Sequence, residues 1–481
     1  MAKAKGGARA VSGLEREYAG AQLGDARRGA RLGRIVQRLA PAPDRSFPEA
    51  MRGDAELEGT YRFLSNRKVG WREMLGPHVS ESYARLQRAA TAGHRLVVAH
   101  DTTELHFKGE PGARSGLGEL AHGHRGFLAH VALGAMLQPE GARAQPQGVL
   151  GLIPVVRRPR AKRKQSERKR QSAQRPAGTR ESDRWGELVQ KVHAEAAALP
   201  LVHVMDREAD NYRLLCELSQ GDHSFVVRAR FDRLLESGTC VSEVLAQQPT
   251  CLTREVQLGA RKGKWTNGKQ VPARNSRPAR LEVRAAPLRL KATQYALRDE
   301  GVPTSLMLNA VEVFEAQPPE GEEPVRWVLF TSLPVDTPEQ LAHVVDCYRA
   351  RWCIEELFKA LKTGCAVEKR QLGSLRALLN TLCLLLPIAW RLLALRALAE
   401  EEPEAPATRL FEADELRLLR QLSKERYAIG PNPTCQQALY ALASLGGHLK
   451  RNGPPGWQTL ARGHENLSTA LVGYRAARED L

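Results

Sequence analysis

Three acidic residues lie where the predicted strands and helix would hold each carboxylate in a fixed position. Asp101 follows the largely apolar residues 96–100, and Asp206 follows the largely apolar residues 201–205. Short, valine-rich runs of this kind predict buried strands, so both aspartates are expected at strand ends. Glu355 lies within a predicted helix. Carboxylate oxygens suit Mg²⁺ or Mn²⁺, and two such ions about 4 Å apart can drive phosphodiester attack. A lone strand-end aspartate is usually a turn or helix cap, so these three residues by themselves indicate only a possible metal site.

The helix that carries Glu355 is predicted to run from Thr337, a candidate N-cap, to Gly364, a candidate C′ residue. At about 100° per residue, its polar residues gather on one side. These residues are Tyr348, Arg351, Glu355 and Lys362. The ordinary interpretation is a solvated face with ion pairs between successive turns. The functional interpretation is a phosphate-binding face, since Arg and Lys neutralise phosphate and a Tyr hydroxyl can donate to a phosphate oxygen.

Charge and cysteine content narrow the class of protein. The 481-residue chain has a formal net charge of +18, which suits a polyanionic partner such as nucleic acid. Its eight cysteines form no Cys-x2-Cys pair, which argues against a zinc site and a disulfide framework and favours a cytoplasmic protein. The longest uncharged apolar run, residues 377–390, is too short to span a bilayer, so no membrane partner is expected.

The N-terminal region predicts three short helices. In the first, Asp25 is a candidate N-cap of the helix. Apolar residues form a stripe on one face of this helix, and arginines occupy the opposite face. The stripe is Leu32, Ile35, Val36 and Leu39, and the arginines are Arg27, Arg28, Arg31, Arg34 and Arg38. Two more helices are predicted around 56–64 and 71–86. A DNA-binding unit and an ordinary amphipathic bundle fit this spacing equally well.

The rest of the chain alternates predicted strands with charged or polar segments. Residues 157–170 hold nine Lys or Arg and one acid, Glu167, which fits either a solubilising insertion or a phosphate-contacting arm. Strands are predicted at 127–136, 149–156, 224–230 and 326–331. Between them, a β insertion contains Asn267-Gly268, a strong hairpin signal. After Leu372 the sequence is Leu/Ala-rich and helical.

Several of these segments together resemble one family. The spacing Tyr-x2-Arg-x3-Glu-x6-Lys, with an Arg-Trp-x-Ile-Glu-Glu run and a Lys-Thr-Gly ending, resembles the signature helix of the IS4 family of DNA transposases, and within it the Tn5 group. The stretch from Asp206 to Asp210 is similar to the segment around that group's second catalytic aspartate. The run that begins at Leu23 and the segment 59–63 are similar to its end-binding domain.

The resemblance implies an α/β fold: a ribonuclease-H-like catalytic core, with a mixed sheet flanked by helices, that carries the β insertion. It implies a helical DNA end-binding domain at 1–85 and a catalytic domain at 86–398, with a basic loop at about 157–180 and the β insertion at about 237–322. A helical dimerisation domain would follow at 399–481. The implied function is cut-and-paste transposition, in which ends are nicked, closed as hairpins, reopened and joined through the 3′-hydroxyl to target DNA.

The resemblance also assigns roles to residues. Asp101, Asp206 and Glu355 become the catalytic residues and the ligands of two Mg²⁺ ions, with Mn²⁺ as a substitute. The DNA contacts become Tyr348, Arg351, Lys362, Trp327, Arg228, Arg230, Arg27, Arg28 and Arg31. Among these, Trp327 would stack on a flipped base, although from the residues alone it would be a core side chain.

The implied partners are double-stranded DNA, both transposon ends and target, and a second copy of the chain in a paired-end complex in the bacterial cytoplasm, at the nucleoid. Two alternatives remain open at this point. One is a catalytically silent DNA-binding repressor or inhibitor of transposition. The other is a ribonuclease-H-like nuclease that performs no strand transfer.

Overall fold

The structure is a computed structural model that describes residues 14–109, 114–137, 144–157, 180–196, 198–261, 263–266, 269–449, 451 and 453–479. Its contacts divide the chain into two compact units. Unit 1 comprises Met1–Arg163, Gln190–Leu199 and Trp352–Leu481, and unit 2 comprises Lys164–Val189 and Pro200–Arg351. The basic block at 158–179 and the Asn267-Gly268 turn lie outside the described residues.

Helices and strands both contribute to the described chain, which confirms the mixed α/β class. The helices are α1 (Ala26–Leu39), α2 (Phe47–Ala50), α3 (Asp54–Ser65), α4 (Trp71–Thr91), α5 (Arg184–Ala196), α6 (Tyr212–Gln220), α7 (Val241–Ala246), α8 (Pro338–Ala350), α9 (Trp352–Lys359), α10 (Leu375–Glu401), α11 (Ala413–Ser423), α12 (Cys435–Leu445) and α13 (Trp457–Glu479). The strands are β1 (Leu96–His106), β2 (Gly118–Glu119), β3 (Arg125–Met136), β4 (Gln145–Val155), β5 (Leu201–Met205), β6 (Ser224–Arg228), β7 (Leu252–Leu258), β8 (Lys264–Thr266), β9 (Lys269–Val271), β10 (Arg277–Lys291), β11 (Ser305–Glu315) and β12 (Arg326–Thr331).

In unit 1, strands β1 to β4 form an antiparallel arrangement centred on β3. β3 pairs with β1 from Leu96↔Met136 to His106↔Gly126, and also with β2 and β4. Helix α4 packs on β4 at Gly148, whose φ is 139° and where a Cβ atom would lie 1.9 Å from Ser82 Oγ. The close approach of helix and strand therefore requires glycine at this position.

The core of unit 1 is built around α10. Its side chains are buried along most of its 27 residues, and Ser374 caps it by accepting a hydrogen bond from the Ala377 amide. By length and composition this helix could cross a membrane, but 94% of its most apolar window is buried inside the protein. Leu32 of α1, Leu357 of α9 and Leu442 of α12 belong to the same core. Apolar residues from all three predicted domains thus pack together, including those of the Leu/Ala-rich tail.

In unit 2, the strand order is β5-β6-β12-β11-β10-β7. β5 and β6 are parallel, and every other pair is antiparallel. The strands of the predicted β insertion therefore extend the sheet that β5 and β6 begin, because β11 pairs with β12 from Asn309↔Thr331 to Phe314↔Arg326. Helix α6, strand β6 and strands β10 to β12 contribute side chains to one core.

Candidate active site and nucleic-acid interface

Asp101 lies in the middle of β1 and not at its end, which corrects the prediction. β1 continues to His106, and its side chains are fully buried up to His100 and alternately buried beyond it. The sequence carried this signal, because Thr103, Leu105 and Phe107 alternate with polar residues. Asp101 is half-buried opposite Val131 of β3, and its Oδ1 accepts a hydrogen bond from the Thr102 amide at 2.7 Å.

Glu355 is half-buried on α9, and this helix packs against β1. The structure therefore places the helix of Glu355 on the strand of Asp101, within unit 1. Two further contacts bind the chain beyond α9 to the same strand. Lys362 Nζ donates to the Glu104 carbonyl at 2.7 Å, and Glu368 Oε1 accepts from the His106 amide at 3.0 Å.

The predicted helix from Thr337 to Gly364 is interrupted twice. Thr337 caps α8 through a capping box, as expected, but α8 ends at Ala350 and α9 begins at Trp352. Residues 360–364 then form a π-helical turn that ends at Gly364, and the residue with left-handed φ is Ala366. A π turn adds a residue to the helical repeat and is frequent at functional sites. The uniform 100° spacing behind the predicted polar face is therefore wrong between Tyr348 and Lys362.

Asp206 follows β5 directly, as predicted, and lies in unit 2. Its side chain caps a short 3₁₀ turn (Arg207–Ala209) by accepting from the Glu208 amide at 2.8 Å. Asp206 therefore has the ordinary role of a strand-end aspartate, which is to cap the turn that follows. Among the residues that the structure describes, no group of three or more His, Cys, Asp or Glu side chains is arranged to hold a metal ion.

Asp210, at the end of the same stretch, is a positioning residue that the sequence did not single out. Its buried carboxylate pairs with Arg233 at 2.6 Å and accepts from the Arg230 amide at 2.7 Å. It therefore fixes the segment that follows β6, which carries the predicted DNA contact Arg230. Arg228 is the last residue of β6, opposite Leu329, and Arg230 is exposed beside Phe231.

Three other predicted contacts meet in unit 2. Trp327 on β12 packs edge-on against the ring of Tyr348, with 5.5 Å between ring centroids. The guanidinium carbon of Arg351 lies 5.9 Å from the same ring. Tyr348 and Arg351 are each 7% exposed, whereas Trp327 is half-buried. Trp327 is therefore the most accessible member of the group, with a ring that Tyr348 holds in place.

The arginines of α1 have different surroundings. Arg27 is 91% exposed beside Asp25, and Arg28 Nη1 donates to the Leu23 carbonyl at 2.6 Å. Arg31 lies against Gly59 of α3, where a Cβ atom would stand 2.8 Å from its Nη1. The opposite face matches the prediction, since Leu32, Ile35, Val36 and Leu39 are buried and Asp25 caps the helix. The predicted amphipathic helix is confirmed, and part of its cationic face packs against α3.

A buried charged network connects the start of the described chain to the sheet of unit 1. Glu17 Oε1 pairs with Arg85 at 2.7 Å, and Glu17 Oε2 lies 2.5 Å from His78 Nδ1. His78 Nε2 accepts from the Val149 amide at 3.0 Å, so Nδ1 carries the proton of the neutral ring. Burial would raise the pKa of Glu17, but the bonds and charges of His78 and Arg85 lower it overall.

Comparison with known proteins gives a family match for the N-terminal residues. Residues 12–69 match a family model described as transposase DNA-binding. Among solved structures, the chain resembles the piggyBac transposase in a synaptic complex with hairpin DNA, with 9% sequence identity and a TM-score of 0.35, over 92% of this chain and 71% of that chain. This TM-score is too low to establish a shared fold. The family match supports a transposase that binds DNA, and it ends before all three predicted catalytic carboxylates.

Proposed function

We propose that this chain is a cut-and-paste DNA transposase of the IS4 family, nearest to the Tn5 group, with a ribonuclease-H-like catalytic core. It binds transposon ends, cleaves them through nick and hairpin steps, and joins the 3′-hydroxyl to target DNA. One observation carries the proposal. Unit 1 combines residues 12–69, which match a transposase DNA-binding model, with a glutamate helix packed on the strand of Asp101.

The donor chemistry of the proposed site fits a hard divalent cation. Asp101, Asp206 and Glu355 offer carboxylate oxygens, the ligand type that Mg²⁺ and Mn²⁺ prefer. These residues would hold two ions, which would activate the attacking oxygen and stabilise the leaving oxygen of the phosphodiester. Asp101 and Glu355 are both half-buried, so neither side chain is fully removed from solvent.

The chain's own cations and aromatic rings would position the DNA. Lys362 is about one-third exposed, and its ammonium has three donors, of which the Glu104 carbonyl takes one. The ammonium also lies 3.9 Å from Glu368 Oε1, and a remaining donor would suit a phosphate oxygen near the cleaved end. Trp327 offers an accessible aromatic surface to a base flipped from the strained hairpin, a contact worth about 1–3 kcal/mol. Tyr348 fixes that ring, and Arg230 would bind the displaced phosphate.

The test is cleavage of a labelled transposon end by single carboxylate variants. Asp101→Asn, Asp206→Asn and Glu355→Gln are each expected to lower Mg²⁺-dependent cleavage at least about a thousandfold, because the metal contribution is several kcal/mol. End binding should stay within about threefold, since none of these residues neutralises phosphate. Glu356→Gln is the matched control, because Glu356 is adjacent on α9 and pairs with Lys359.

The outcomes separate the candidate functions. Full cleavage by any one variant removes that residue from the catalytic set. A wild-type chain that binds ends tightly but cleaves them with neither Mg²⁺ nor Mn²⁺ would be the silent DNA-binding repressor or inhibitor instead. Cleavage without joining to target DNA would identify a nuclease that lacks strand transfer.

A further inference from the structure

The described segments of the outer β insertion form a two-stranded ribbon. β7 pairs with β10 from Leu252↔Val283 to Arg277↔Leu258, Arg261 and Arg274 exchange backbone hydrogen bonds of 2.7 and 2.8 Å, and β8 pairs with β9 through Trp265↔Gln270. The paired residues among 252–258, 261 and 264–266 all share one register with the opposite strand.

Most of this ribbon extends beyond the strand that flanks it. β11 pairs with β10 only from Leu281 onward, where Leu281 faces Glu315. From Glu255 and Arg280 outward, β7 and β10 therefore have only each other as partners within unit 2's described strands. At about 3.3 Å per residue, the eleven steps from 255 to 266 make an arm of about 36 Å.

A tryptophan and several cations lie on one face of the arm. In an antiparallel ladder, paired residues share a face and every second residue repeats it. Trp265 and the pairs Arg261↔Arg274 and Glu255↔Arg280 therefore lie on the same face. Trp265 is 72% exposed, an unusual state for the largest side chain, and Arg280 is exposed too.

The charge of the arm is strongly positive. Between Glu255 and Glu282 there is no acidic residue and there are seven cations: Arg261, Lys262, Lys264, Lys269, Arg274, Arg277 and Arg280. Glu315 pairs with Arg277 at 2.5 Å, and Glu323 lies 3.6 Å from Arg261. Arg274 Nη2 donates to the Gly259 carbonyl at 3.1 Å, and its positive charge is among those that lower the pKa of Glu315.

We propose that this ribbon, residues 252–261, 263–266 and 269–283, is a DNA-binding arm that enters the major groove of duplex DNA with Trp265 against the bases. The major groove admits a two-stranded β-ribbon, cations on the arm would neutralise the flanking phosphates, and an exposed aromatic ring would contact base edges or a thymine methyl group. This DNA contact, in unit 2, is separate in sequence from residues 12–69 and from the contacts proposed for Trp327 and Arg230. It rests on the proposed function in taking DNA as the partner.

The test combines binding and footprinting of the full chain on duplex DNA. Trp265→Ala is expected to bind about tenfold more weakly, whereas Trp265→Phe keeps an aromatic ring and stays within about threefold. Arg274→Gln should lower the slope of log affinity against log salt by about one. Guanine N7 lies in the major groove, so the wild type should protect from dimethyl sulfate some guanines that Trp265→Ala leaves reactive.

The control is Met307→Ala, which removes a side chain of unit 2 that is 53% exposed and lies on β11. It should bind and protect like the wild type. If Trp265→Ala and Arg274→Gln also bind and protect DNA like the wild type, the arm does not contact DNA. This inference is then wrong, while the proposed function stands. The same holds if Trp265→Ala changes only the mass of the DNA-free protein, which would mark a self-association surface. If the wild type fails to bind duplex DNA, the proposed function falls with it.

Discussion

Glu17→Ala is expected to destabilise unit 1 strongly, although Glu17 is remote in sequence from every predicted catalytic residue. The substitution removes the acceptor of two buried groups, His78 Nδ1 and Arg85 Nη1. The side chains of Glu17, His78 and Arg85 are 6%, 0% and 4% exposed, so water would not replace the lost carboxylate. A buried cation without its counter-ion is among the more costly defects in a protein interior.

The expected size follows from what remains around Arg85. Removing one member of a buried ion pair costs about 3–5 kcal/mol. Arg85 keeps a bond to Ser82 Oγ at 3.1 Å, a bond to the Gln147 carbonyl, and the face of Trp390 at 4.1 Å. These contacts place the cost at the lower end, about 3 kcal/mol, which corresponds to about a hundredfold change in the unfolding equilibrium.

Hydrogen–deuterium exchange read on peptides that cover β4 measures this directly, because the Val149 amide donates to His78. Glu17→Ala should raise exchange there by about a hundredfold and shift the urea midpoint downward. The control is Glu58→Ala, whose exposed pair with Arg62 spans 3.6 Å and is worth less than about 0.5 kcal/mol. If Glu17→Ala costs no more than that control, the network does not stabilise unit 1 and the reasoning is refuted.

Three further outcomes are expected. Burial lowers the pKa of His78 below its ordinary 6.5 although Glu17 opposes this, so stability should fall as the pH drops below about 6.5, and His78→Gln should flatten that part of a urea-midpoint profile. An unchanged slope would exclude His78 as its source. Trp327→Ala should permit first-strand nicking but slow hairpin formation, with partial rescue by an abasic nucleotide at the flipped position; equal loss of both steps together with a lower melting temperature would make it a packing residue. Leu422, 44% exposed on α11, is a candidate contact in the proposed dimer, so Leu422→Asp should reduce paired-end complexes in a gel shift without weakening single-end binding, and undiminished pairing would place the dimer contact elsewhere.

Local patterns in the sequence predicted local structure well. The buried stripe of α1, the Thr337 capping box and the strand before Asp206 all depend on residues a few positions apart, and each is present. The course of the chain through Arg351 was missed, because charge spacing carries no signal for a helix break or for a π turn.

Contacts between distant segments were beyond the sequence. The sequence around Asp210 does not indicate that Arg233 pairs with it, and the sequence around Glu17 does not indicate its contact with His78. The Leu/Ala-rich tail contributes residues such as Leu442 to the core of unit 1, and its role in a dimer stays a prediction. Composition shows that an apolar face must be covered, but it does not show whether the covering surface belongs to the same chain.

The packing of α10 and the adjoining segment against the N-terminal helices bears on how such proteins can be re-engineered. The guanidinium group of Arg370 donates to the carbonyls of Pro43 and Arg45, Asn380 Nδ2 donates to the Leu64 carbonyl, and the Tyr18 hydroxyl donates to the Leu384 carbonyl. Each of these bonds joins residues 12–69 to the chain beyond Glu355. A chimera that exchanged residues 12–69 for those of a relative would therefore lose matched hydrogen bonds to the chain beyond Glu355. To introduce a new DNA-end specificity by exchanging residues 12–69, the contacting residues around 370–384 would have to be exchanged at the same time.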